Sequence, residues 1–568
     1  MKTGLLASGF WLVLAGCVSF SSVRDYDVVV YGSTPGGIAA AVEAASAGRR
    51  VALVSPSKRI GGMTTGGLGM TDYGHLDAIQ GLSRRFYREI RDWYRDDAHW
   101  TRETRRLYTA RTDNFALDRD DLDIFWKFEP SVALAILERW VDEAGIDLYR
   151  DTYLDRSAGK VEVKEVEVKE VEVGGRGREK KIASFVTLDG KTFRAKVFVD
   201  ATYEGDLMAA AGVSYAVGRE SQAEYGERLA GAQTKRGLLK LEKGIDPYRE
   251  KGKPESGLLP HVEPTARADG SGGRGIQAFC FRMCLTDDPE NRIPFKLPEG
   301  YDRDEYELLF RNFEAGDNPN VPPWLNDAMP NRKTDTNNTR GFGTDFVGMN
   351  WDWPEASYEE RERIYKAHLT YQQGLMWVLA NHPRVPKAIR DEVSKWGVCK
   401  DEFTESDGWP TQLYVREARR MRGEYVMTEK ECLGERVAPK AIAYGSYGLD
   451  SHNVRRYVTP EGYVQNEGEL HWLPETPPAE CLRVTKPYPI GYGAITPKRG
   501  ECTNLLVPVC LSATHVAFGS IRMEPVYFGV GQAAGAAAAL ACEADCAVQD
   551  VDYAKLRSRL DLLPAWCR

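Results

Sequence analysis

The sequence lacks any block of basic residues that could form a nucleic-acid-binding face. Its 75 Lys and Arg and 83 Asp and Glu residues are spread along 568 positions, with a formal net charge of −8. No motif of a nucleic-acid-binding fold occurs either, so we expect no nucleic-acid partner. A hydrophobic content of 42% with 28% charged residues is ordinary for a globular protein. The length exceeds that of one ordinary core and predicts two domains.

Cysteine is sparse, with 11 residues in the whole chain. No Cys-x-x-Cys pair occurs, so the sequence indicates neither a zinc site nor a dithiol redox site, and we expect no bound metal. Ten cysteines follow Cys17, an even number that would permit disulfides in an oxidising compartment. Because this density is too low for a disulfide scaffold, we expect the cysteines to be buried as small apolar side chains.

The first 17 residues have the pattern of an export signal. Lys2 precedes an apolar run over 5–13 that is too short to span a membrane as a mature helix. The Leu-Ala-Gly-Cys that ends at Cys17 resembles the signal of bacterial lipoproteins, in which this cysteine is lipidated. We predict an exported lipoprotein in the periplasm or cell envelope, attached to a membrane only through Cys17. A plain signal peptide and a chance apolar start are the alternatives.

A βαβ unit follows. Residues 28–31 are a continuous apolar run, typical of a strand buried on both faces of a parallel sheet. Glycines come next, then an alanine-rich helix over 38–47 with Gly48 as its stop, and a second buried strand over 51–54. This succession within about thirty residues predicts a Rossmann-like unit.

The turn after the first strand carries the chemistry of this unit. It reads Gly-Ser-Thr-Pro-Gly-Gly from Gly32 to Gly37, which brings backbone N–H groups and a helix N-terminus close to a pyrophosphate. Thr34 replaces the second glycine of the G-x-G-x-x-G pattern, and Ser55 stands where an acidic residue would hold the ribose. The turn predicts dinucleotide binding, and a glycine turn without a ligand is the alternative.

A second glycine-rich segment follows the second strand. Residues 61–69 contain five glycines, a backbone that can lie against a large planar or anionic ligand. A plain NAD-binding unit does not need such a segment, so it favours the larger FAD.

The rest of the chain divides by composition. Residues 216–485 are rich in Trp, Tyr, Arg and Asn and show no βαβ rhythm, which suits an α+β substrate or cap domain. We predict an α/β fold in which this cap is inserted into a Rossmann-like FAD-binding domain with a parallel sheet, helices and a β-hairpin excursion. The predicted parts are a signal peptide (1–17), the first part of the FAD-binding domain (24–215), the cap (216–485), the C-terminal part of the FAD-binding domain (486–545) and a tail (546–568).

Further elements follow from local patterns. The predicted elements are a largely helical region over 83–140, a helix over 132–144, a charged hairpin over 160–173, strands over 195–201 and 504–510, and a helix over 530–541.

Several segments together resemble the two-dinucleotide-binding-domain flavoproteins with a glutathione-reductase-like FAD fold, and more closely the bacterial exported FAD-dependent oxidoreductases. The resemblance covers about residues 26–540, with the most specific matches at 31–37, 61–68, 200–207, 412–421, 450–453 and 520–525. It implies FAD as the cofactor. The predicted FAD-binding residues are Gly32, Thr34, Pro35, Gly36, Gly37, Ser55, Gly61, Gly62, Met63, Thr64, Thr65, Gly66, Asp200, Ala201, Thr202, Arg522, Glu524 and Pro525.

The C-terminal segment has a specific role in this resemblance. It implies a helix N-terminus near the pyrimidine edge of the flavin. The helix dipole, with Arg522, would stabilise negative charge on the reduced ring. A structural ion pair between Arg522 and Glu524 is the alternative.

Two histidines are candidates for catalytic contact. His452 lies in the Asp-Ser-His-Asn segment, and His515 lies seven residues before Arg522. Histidine titrates near neutrality and could serve as a base. The alternative for each is a hydrogen-bonded structural histidine.

Two arginines are further candidates. At helical spacing, Arg416 and Arg420 would share a face and clamp a carboxylate or a polyhydroxylated substrate. A helix held by salt bridges to Glu417 and Glu424 is the alternative.

These features lead to one main prediction of function. We expect an exported FAD-dependent oxidoreductase that transfers a hydride from a small polar substrate, such as a sugar or sugar acid, to the flavin. A lipoprotein that binds or processes polysaccharides, with a structural FAD, is the alternative, since 13 Trp and 27 Tyr could stack on sugar rings. An NAD-dependent dehydrogenase is disfavoured by the second glycine-rich segment.

Overall fold

The computed structural model describes residues 23–111, 114–169, 176–322, 324–338, 340–470 and 483–560. The predicted signal peptide with Cys17 lies outside the described residues, as do Cys481 and Cys567.

The secondary structure consists of many short strands and a few long helices. The strands are β1 (Val23–Tyr31), β2 (Val51–Val54), β3 (Asp147–Tyr149), β4 (Val161–Lys169), β5 (Arg176–Val186), β6 (Thr192–Asp200), β7 (Tyr215–Ala216), β8 (Val262–Glu263), β9 (Met283–Thr286), β10 (Arg292–Pro294), β11 (Trp324–Met329), β12 (Lys333–Asn338), β13 (Gly397–Cys399), β14 (Arg420–Met421), β15 (Ala441–Gly445), β16 (Arg455–Val458), β17 (Val464–Glu467), β18 (Tyr488–Gly491) and β19 (Leu505–Leu506). The α-helices are α1 (Pro35–Ser46), α2 (Gly62–Gly66), α3 (Gly81–Arg95), α4 (Arg105–Thr109), α5 (Pro130–Glu143), α6 (Asp206–Ala210), α7 (Gln222–Tyr225), α8 (Glu307–Ala315), α9 (Tyr358–Asn381), α10 (Lys387–Val393), α11 (Glu429–Cys432), α12 (His515–Ile521), α13 (Glu524–Ala544) and α14 (Tyr553–Arg559).

The main sheet has the strand order β3-β2-β1-β6-β5-β4, and β19 also pairs with β6. β1 runs parallel to both neighbours, with Val28 opposite Val51 on β2 and Val197 on β6. The β2–β3 and β6–β19 pairs are parallel as well. Residues 28–30 are fully buried, as the apolar run predicts for a strand covered on both faces. The predicted α/β fold is confirmed.

An antiparallel hairpin of β4 and β5 extends this sheet. The described part of the charged repeat forms β4, and its charged side chains at 162, 164 and 165 are exposed, as in the ion pair of Glu165 with Arg178. The predicted hairpin excursion is confirmed.

Helices α1 and α13 pack against each other through small residues. A Cβ added at Gly531 would overlap the carbonyl of Gly36, and one added at Gly535 would overlap that of Ala40. Since both contacts advance by four residues, the helices run parallel. α13 begins seven residues before Gly531, whereas α1 begins one residue before Gly36, so α13 extends about 9 Å beyond the start of α1, at 1.5 Å per residue. By length and composition α13 could cross a membrane, but 89% of its most apolar window is buried in the protein.

The middle of the chain has its own sheet and core. Five antiparallel strands lie in the order β10-β13-β9-β12-β11. Buried side chains of α8 and α9, such as Phe310 and Leu375, share a hydrophobic cluster with Met283 and Leu285 of β9. The middle of the chain therefore mixes helices and strands, as expected for an α+β cap. The exact domain boundaries stay predictions.

Some element lengths differ from those predicted. β19 contains only Leu505 and Leu506, because it pairs with β6 at Phe198 and Val199, and the next amide, of Val507, donates to Ile495 instead. The C-terminal helix starts earlier than predicted, at Glu524. The region over 83–140 contains α3, α4 and α5, separated by short 3₁₀ turns and irregular chain.

Candidate active site

Several strands of the main sheet end at one edge. Gly32 follows β1, Ser55 follows β2 and Ala201 follows β6. Helix α1 starts at this edge, and α13 starts on the same side, farther out. Each helix N-terminus carries unpaired N–H groups and a partial positive charge. The edge therefore offers two separate favourable positions for anionic or electron-rich parts of one extended ligand.

The glycine turn is shaped by the strand beside it. Gly32 has a φ of +103°, and a Cβ there would lie 2.6 Å from the backbone of Ala201. A Cβ at Gly37 would overlap the Gly32 carbonyl oxygen. The Thr34 hydroxyl caps α1 by accepting from the Gly37 amide at 3.2 Å, and it donates to the Ala201 carbonyl at 2.7 Å. The threonine that departs from the glycine pattern thus ties the turn to the end of β6.

The second glycine-rich segment packs against neighbouring segments. Residues 62–66 form the helical turn α2, and the Gly61 amide donates to the Ser33 carbonyl. A Cβ at Gly66 would meet the Gln412 side chain, and one at Gly67 would meet the Arg282 carbonyl. These glycines therefore allow close packing against the cap.

A buried carboxylate stands at the start of α13. Glu524 accepts from the Thr64 hydroxyl and from the Tyr203 hydroxyl, each at 3.0 Å. Tyr203 in turn accepts from the Met63 amide at 3.0 Å. Burial raises the pKa of Glu524 to about 7. The side chain therefore joins α13 to α2 and to the segment after β6.

Arg522 has partners other than Glu524. Its guanidinium donates to the Tyr414 hydroxyl at 2.8 Å and to Asp450 at 2.7 Å. The suggested ion pair between Arg522 and Glu524 is wrong, because each side chain has its own buried partners. Arg522 points toward the cap, and Glu524 points toward the glycine-rich segment.

A group of polar side chains surrounds Tyr414 beside the start of α13. The guanidinium carbons of Arg416, Arg522 and Arg282 lie 4.5, 5.6 and 5.9 Å from the centre of its ring. We call the group the polar cluster; its members are Asp72, Arg282, Asp335, Asp345, Tyr414, Arg416, Tyr447, Asp450, His452 and Arg522.

Ion pairs hold the polar cluster together. Arg282 forms a bidentate pair with Asp335, at 2.7 and 2.6 Å. Asp335 also accepts from the amides of Gly69 and Met70, at 2.9 and 2.7 Å. The pair therefore fixes the end of the second glycine-rich segment against cap strand β12.

His452 and Arg416 share one carboxylate in the polar cluster. Asp345 lies 2.6 Å from His452 Nδ1 and 3.1 Å from Arg416 Nη1. Burial alone would raise the pKa of Asp345, but the charges of Arg416 and His452 hold it below its usual value. Burial and the charge of Arg416 lower the pKa of His452.

Asp72 differs from the other carboxylates of the cluster. It accepts from the Tyr447 hydroxyl at 3.3 Å, and among the described residues it has no arginine ion pair within 4.0 Å. Burial raises the pKa of Asp72, although Arg282 and Arg522 oppose the shift. The carboxylate of Asp72 therefore has an increased proton affinity, and the hydrogen-bonding groups around it are held in place within the polar cluster.

His515 and Arg420 belong to a second buried group, which we call the His515 group, with Glu220 and Glu417. Glu417 lies 2.8 Å from His515 Nδ1 and 3.5 Å from Arg420, and Arg420 also pairs with Glu220 at 2.7 Å. Although burial raises the pKa of Glu417, His515 and Arg420 lower it to about 2. These ion pairs hold the segments together, and among the described residues no ion pair joins them to the polar cluster, although Glu417 directly follows Arg416 in the chain.

Gln277 connects the two groups through its backbone and its side chain. The backbone amide of Gln277 donates to Glu417 at 3.0 Å, and its side-chain oxygen accepts from the His452 amide at 3.2 Å. The two candidate histidines therefore belong to neighbouring networks that differ in their access to a ligand. The side chain of His452 is 11% exposed and that of His515 is 2% exposed.

Residues 27–560 match the family model described as FAD dependent oxidoreductase. The chain belongs to this family, and its cofactor is FAD. No curated protein matches the sequence.

Parts of the chain are similar to solved structures. These include THI4 of Thermovibrio ammonificans (19% identity over 34% of this chain and 66% of that chain, TM-score 0.22), L-proline dehydrogenase of P. horikoshii (15% identity, 35% and 59%, TM-score 0.21) and a flavin-containing monooxygenase of Stenotrophomonas maltophilia (14% identity, 36% and 44%, TM-score 0.18). In each case the match spans less than two thirds of the other chain.

The sheet edge of this FAD dependent oxidoreductase family member fits its cofactor. The turn at Gly32 and Gly37 leaves no room for a Cβ, and the positive end of α1 at this turn suits a pyrophosphate. The start of α13, with Arg522, suits a flavin ring that gains negative charge when it is reduced. When bound, FAD supplies a hydride acceptor.

The remaining FAD-binding residues predicted from the sequence lie at this edge as well. The Ser55 hydroxyl is fully buried, 2.7 Å from the Ser33 hydroxyl and 2.8 Å from the Ser57 carbonyl, so a contact with the ribose stays a prediction. Asp200 accepts from the Thr202 amide and hydroxyl, and burial raises its pKa to about 6. Its side chain shapes the turn after β6.

The predicted arginine clamp is wrong. Residues 412–419 form no helix, and Arg420 lies in the short strand β14. Arg416 therefore belongs to the polar cluster and Arg420 to the His515 group, and they share no face. Of the suggested salt bridges, Glu417 pairs with Arg420, but Glu424 accepts from the Arg499 amide.

Sequence reasoning missed several members of the polar cluster. Asp72 lies three residues after Gly69, so its position directly behind a glycine-rich segment was a usable signal. Asp450 and Tyr414 lie in matched segments but were not singled out. Arg282, Asp335 and Asp345 are separated along the cap, and no local pattern brings them together.

Proposed function

We propose that this protein is an exported FAD-dependent oxidoreductase that removes a hydride from a small, neutral, polyhydroxylated substrate such as a sugar. The observation that carries this proposal is the charge balance of the polar cluster beside the start of α13. The proposed export is supported by the pattern of residues 1–17.

Each arginine of the polar cluster has a carboxylate partner. Arg282 pairs with Asp335, Arg416 with Asp345 and Arg522 with Asp450. A site built for a carboxylate would leave a guanidinium fork free for it. Paired charges instead offer alternating donors and acceptors, which suit hydroxyl groups. This arrangement favours a neutral sugar over a sugar acid.

Asp72 is our candidate for the proton acceptor. Loss of a hydride from an alcohol carbon requires that the hydroxyl proton pass to a base. The raised pKa of Asp72 gives its carboxylate a higher proton affinity than an ordinary aspartate has. Since the base form is required, activity should rise as the pH increases through this pKa.

The substrate class can be tested with the flavin as reporter. The FAD-loaded protein is mixed without oxygen with neutral sugars and with sugar acids of the same ring stereochemistry, and the visible flavin absorbance is followed. We expect bleaching by a neutral sugar, with kcat/KM about tenfold or more above that of the matched acid, because a further negative charge meets four aspartates.

Two outcomes would contradict the proposal. Preferential oxidation of a sugar acid would overturn the argument from charge balance. A flavin that no polyhydroxylated compound reduces, in a protein that still binds glycans, would favour a polysaccharide-binding role with a structural FAD.

The export proposal has its own test. Fractionation of a bacterial host that makes the full chain should place the protein in the envelope, and Cys17→Ser should release it from membranes. A wild-type chain retained in the cytoplasm would contradict this part of the proposal.

A further inference from the structure

We propose that Cys284 and Cys399 form a structural disulfide in the cap. Their Sγ atoms lie 3.8 Å apart although the residues are 115 positions apart in the chain. Cys284 lies on β9 and Cys399 on β13, two neighbouring strands of the five-stranded sheet. This proposal does not depend on the proposed substrate.

The backbone already has the geometry that a disulfide needs. β9 and β13 are antiparallel, with Val398 opposite Leu285, so that Cys399 comes opposite Cys284 at the next position. Opposed residues of antiparallel strands have Cα atoms about 4.5–5.5 Å apart, within the range of about 4.4–6.8 Å found for disulfides. Side-chain rotation is therefore enough to bring the sulfurs to bonding distance.

The other sulfurs of the described chain have different surroundings. Cys510 and Cys542 lie 3.4 Å from the carbonyl oxygens of Thr202 and Asp27. Cys280, which is four residues before Cys284, lies 3.3 Å from an Arg416 nitrogen. Among the described cysteines, Cys284 and Cys399 are the one pair whose sulfurs contact each other.

The pair is sealed in an apolar environment. Met329 and Phe403 cover it, and both cysteines are 1% exposed or less. Burial raises the pKa of the Cys284 thiol, so the reactive thiolate is disfavoured in the finished fold. We therefore infer that the bond forms while the sheet assembles, before the strands are covered.

The chemistry requires a disulfide oxidant, either a small molecule or a protein. Two S–H bonds break and one S–S bond forms, while two electrons and two protons pass to the oxidant, which becomes two thiols. An exported chain meets such oxidants as it folds. Arg282 directly precedes β9, and Cys284 of β9 lies opposite Asp335 of β12 in the sheet. The bond would therefore hold β9 in place next to the ion pair of Arg282 with Asp335.

Peptide mapping of the full chain tests the proposal. The chain is produced with its own signal in a bacterial host with an oxidising periplasm; the free thiols are alkylated under denaturing conditions without reduction, and the protein is digested with trypsin. We expect the peptide over 283–292 to be linked to the peptide over 396–400, about 2 Da lighter than the sum of the two thiol peptides. Because Arg282 separates Cys280 from Cys284, the map distinguishes these neighbours.

Matched variants serve as controls. Cys280→Ser should leave the linked peptide intact, whereas Cys399→Ser should abolish it and leave Cys284 alkylated. Reduction should lower the melting temperature of the wild type by about 4 °C and leave that of Cys399→Ser unchanged. If the folded, FAD-loaded wild-type protein from the periplasm shows both cysteines fully alkylated, the proposal is wrong; this result would leave the proposed substrate class untouched.

Discussion

The two ends of the candidate active site, the sheet edge and the polar cluster, consist of different chemical groups. The sheet edge uses backbone N–H groups, helix starts and glycines such as Gly32 and Gly37, and its shape depends on the absence of Cβ atoms. The polar cluster uses buried side chains from distant segments, held by pairs such as Arg282 with Asp335. The sheet edge suits the cofactor, which stays the same whatever the substrate is. The polar cluster presents side chains that can select a particular substrate.

This difference predicts that substitutions at the two ends have separable effects. A change at the sheet edge should remove FAD and destabilise the fold. A change in the polar cluster should leave FAD bound and alter the reaction.

The largest effect is expected at Gly37. In Gly37→Ala the new Cβ overlaps the Gly32 carbonyl oxygen and lies 3.1 Å from the Ala201 Cβ, which should cost about 3–5 kcal/mol and prevent FAD retention. The flavin-to-protein absorbance ratio and thermal unfolding measure both effects. Gly48→Ala is the matched control, because a Cβ there meets no atom within 4 Å; its left-handed backbone costs only about 1–2 kcal/mol. Equal FAD loss in both variants would contradict the packing argument.

The second effect concerns Asp72. Asp72→Asn removes the proposed base and should lower kcat about 100- to 10,000-fold with FAD still bound. Asp77→Asn, at an exposed position five residues later, should behave like the wild type. Unchanged turnover in Asp72→Asn would show that Asp72 is not the base. Loss of FAD in this variant would show that the polar cluster also contributes to FAD binding.

The third prediction separates the two histidines. His515→Gln should lower the free energy of unfolding by about 2–3 kcal/mol, because Glu417 loses a charged hydrogen bond inside the protein, with little change in KM. His452→Gln should raise KM about tenfold through the position of Asp345 and Arg416. Denaturant unfolding and steady-state kinetics on both variants check this contrast. A change of KM in His515→Gln alone would contradict this prediction, because it would show that His515, and not His452, affects substrate binding.

The smallest predicted effect is the pH dependence of stability at Glu524. Its folded pKa of about 7 lies above the ordinary value, so protonation stabilises the fold at low pH. This stability is lost as the pH rises from the unfolded pKa through about 7, and the positive end of α13 offsets part of the loss. We expect FAD-free Glu524→Gln to be more stable than the wild type by about 1–2 kcal/mol at pH 8 and unchanged at pH 4. Thermal melts of the exposed control Glu543→Gln should follow the wild type at both pH values.

This difference between a backbone site and a side-chain site also explains which features could be predicted from the sequence. The sheet edge is local: the strand at 28–31, the glycine turn and α1 are consecutive, so their pattern predicts the fold and the FAD-binding turn. The role of Thr34 could not be predicted, because it depends on the Ala201 carbonyl at the end of β6.

The polar cluster could be predicted only in fragments. Arg416 and His452 were identified as candidates, but their shared partner Asp345 comes from another part of the cap. The regular spacing of Arg416 and Arg420 suggested a helix, whereas tertiary ion pairs hold this segment in irregular chain. Side-chain sites assembled from distant segments need the tertiary structure.

The most direct test of the central claim is an experimental structure of the protein with FAD. We expect the pyrophosphate at the first turn of α1 and the flavin ring between the start of α13 and the polar cluster, on the side of Asp72 and Tyr414. A flavin ring that points away from Tyr414, with no member of the polar cluster facing it, would contradict the account.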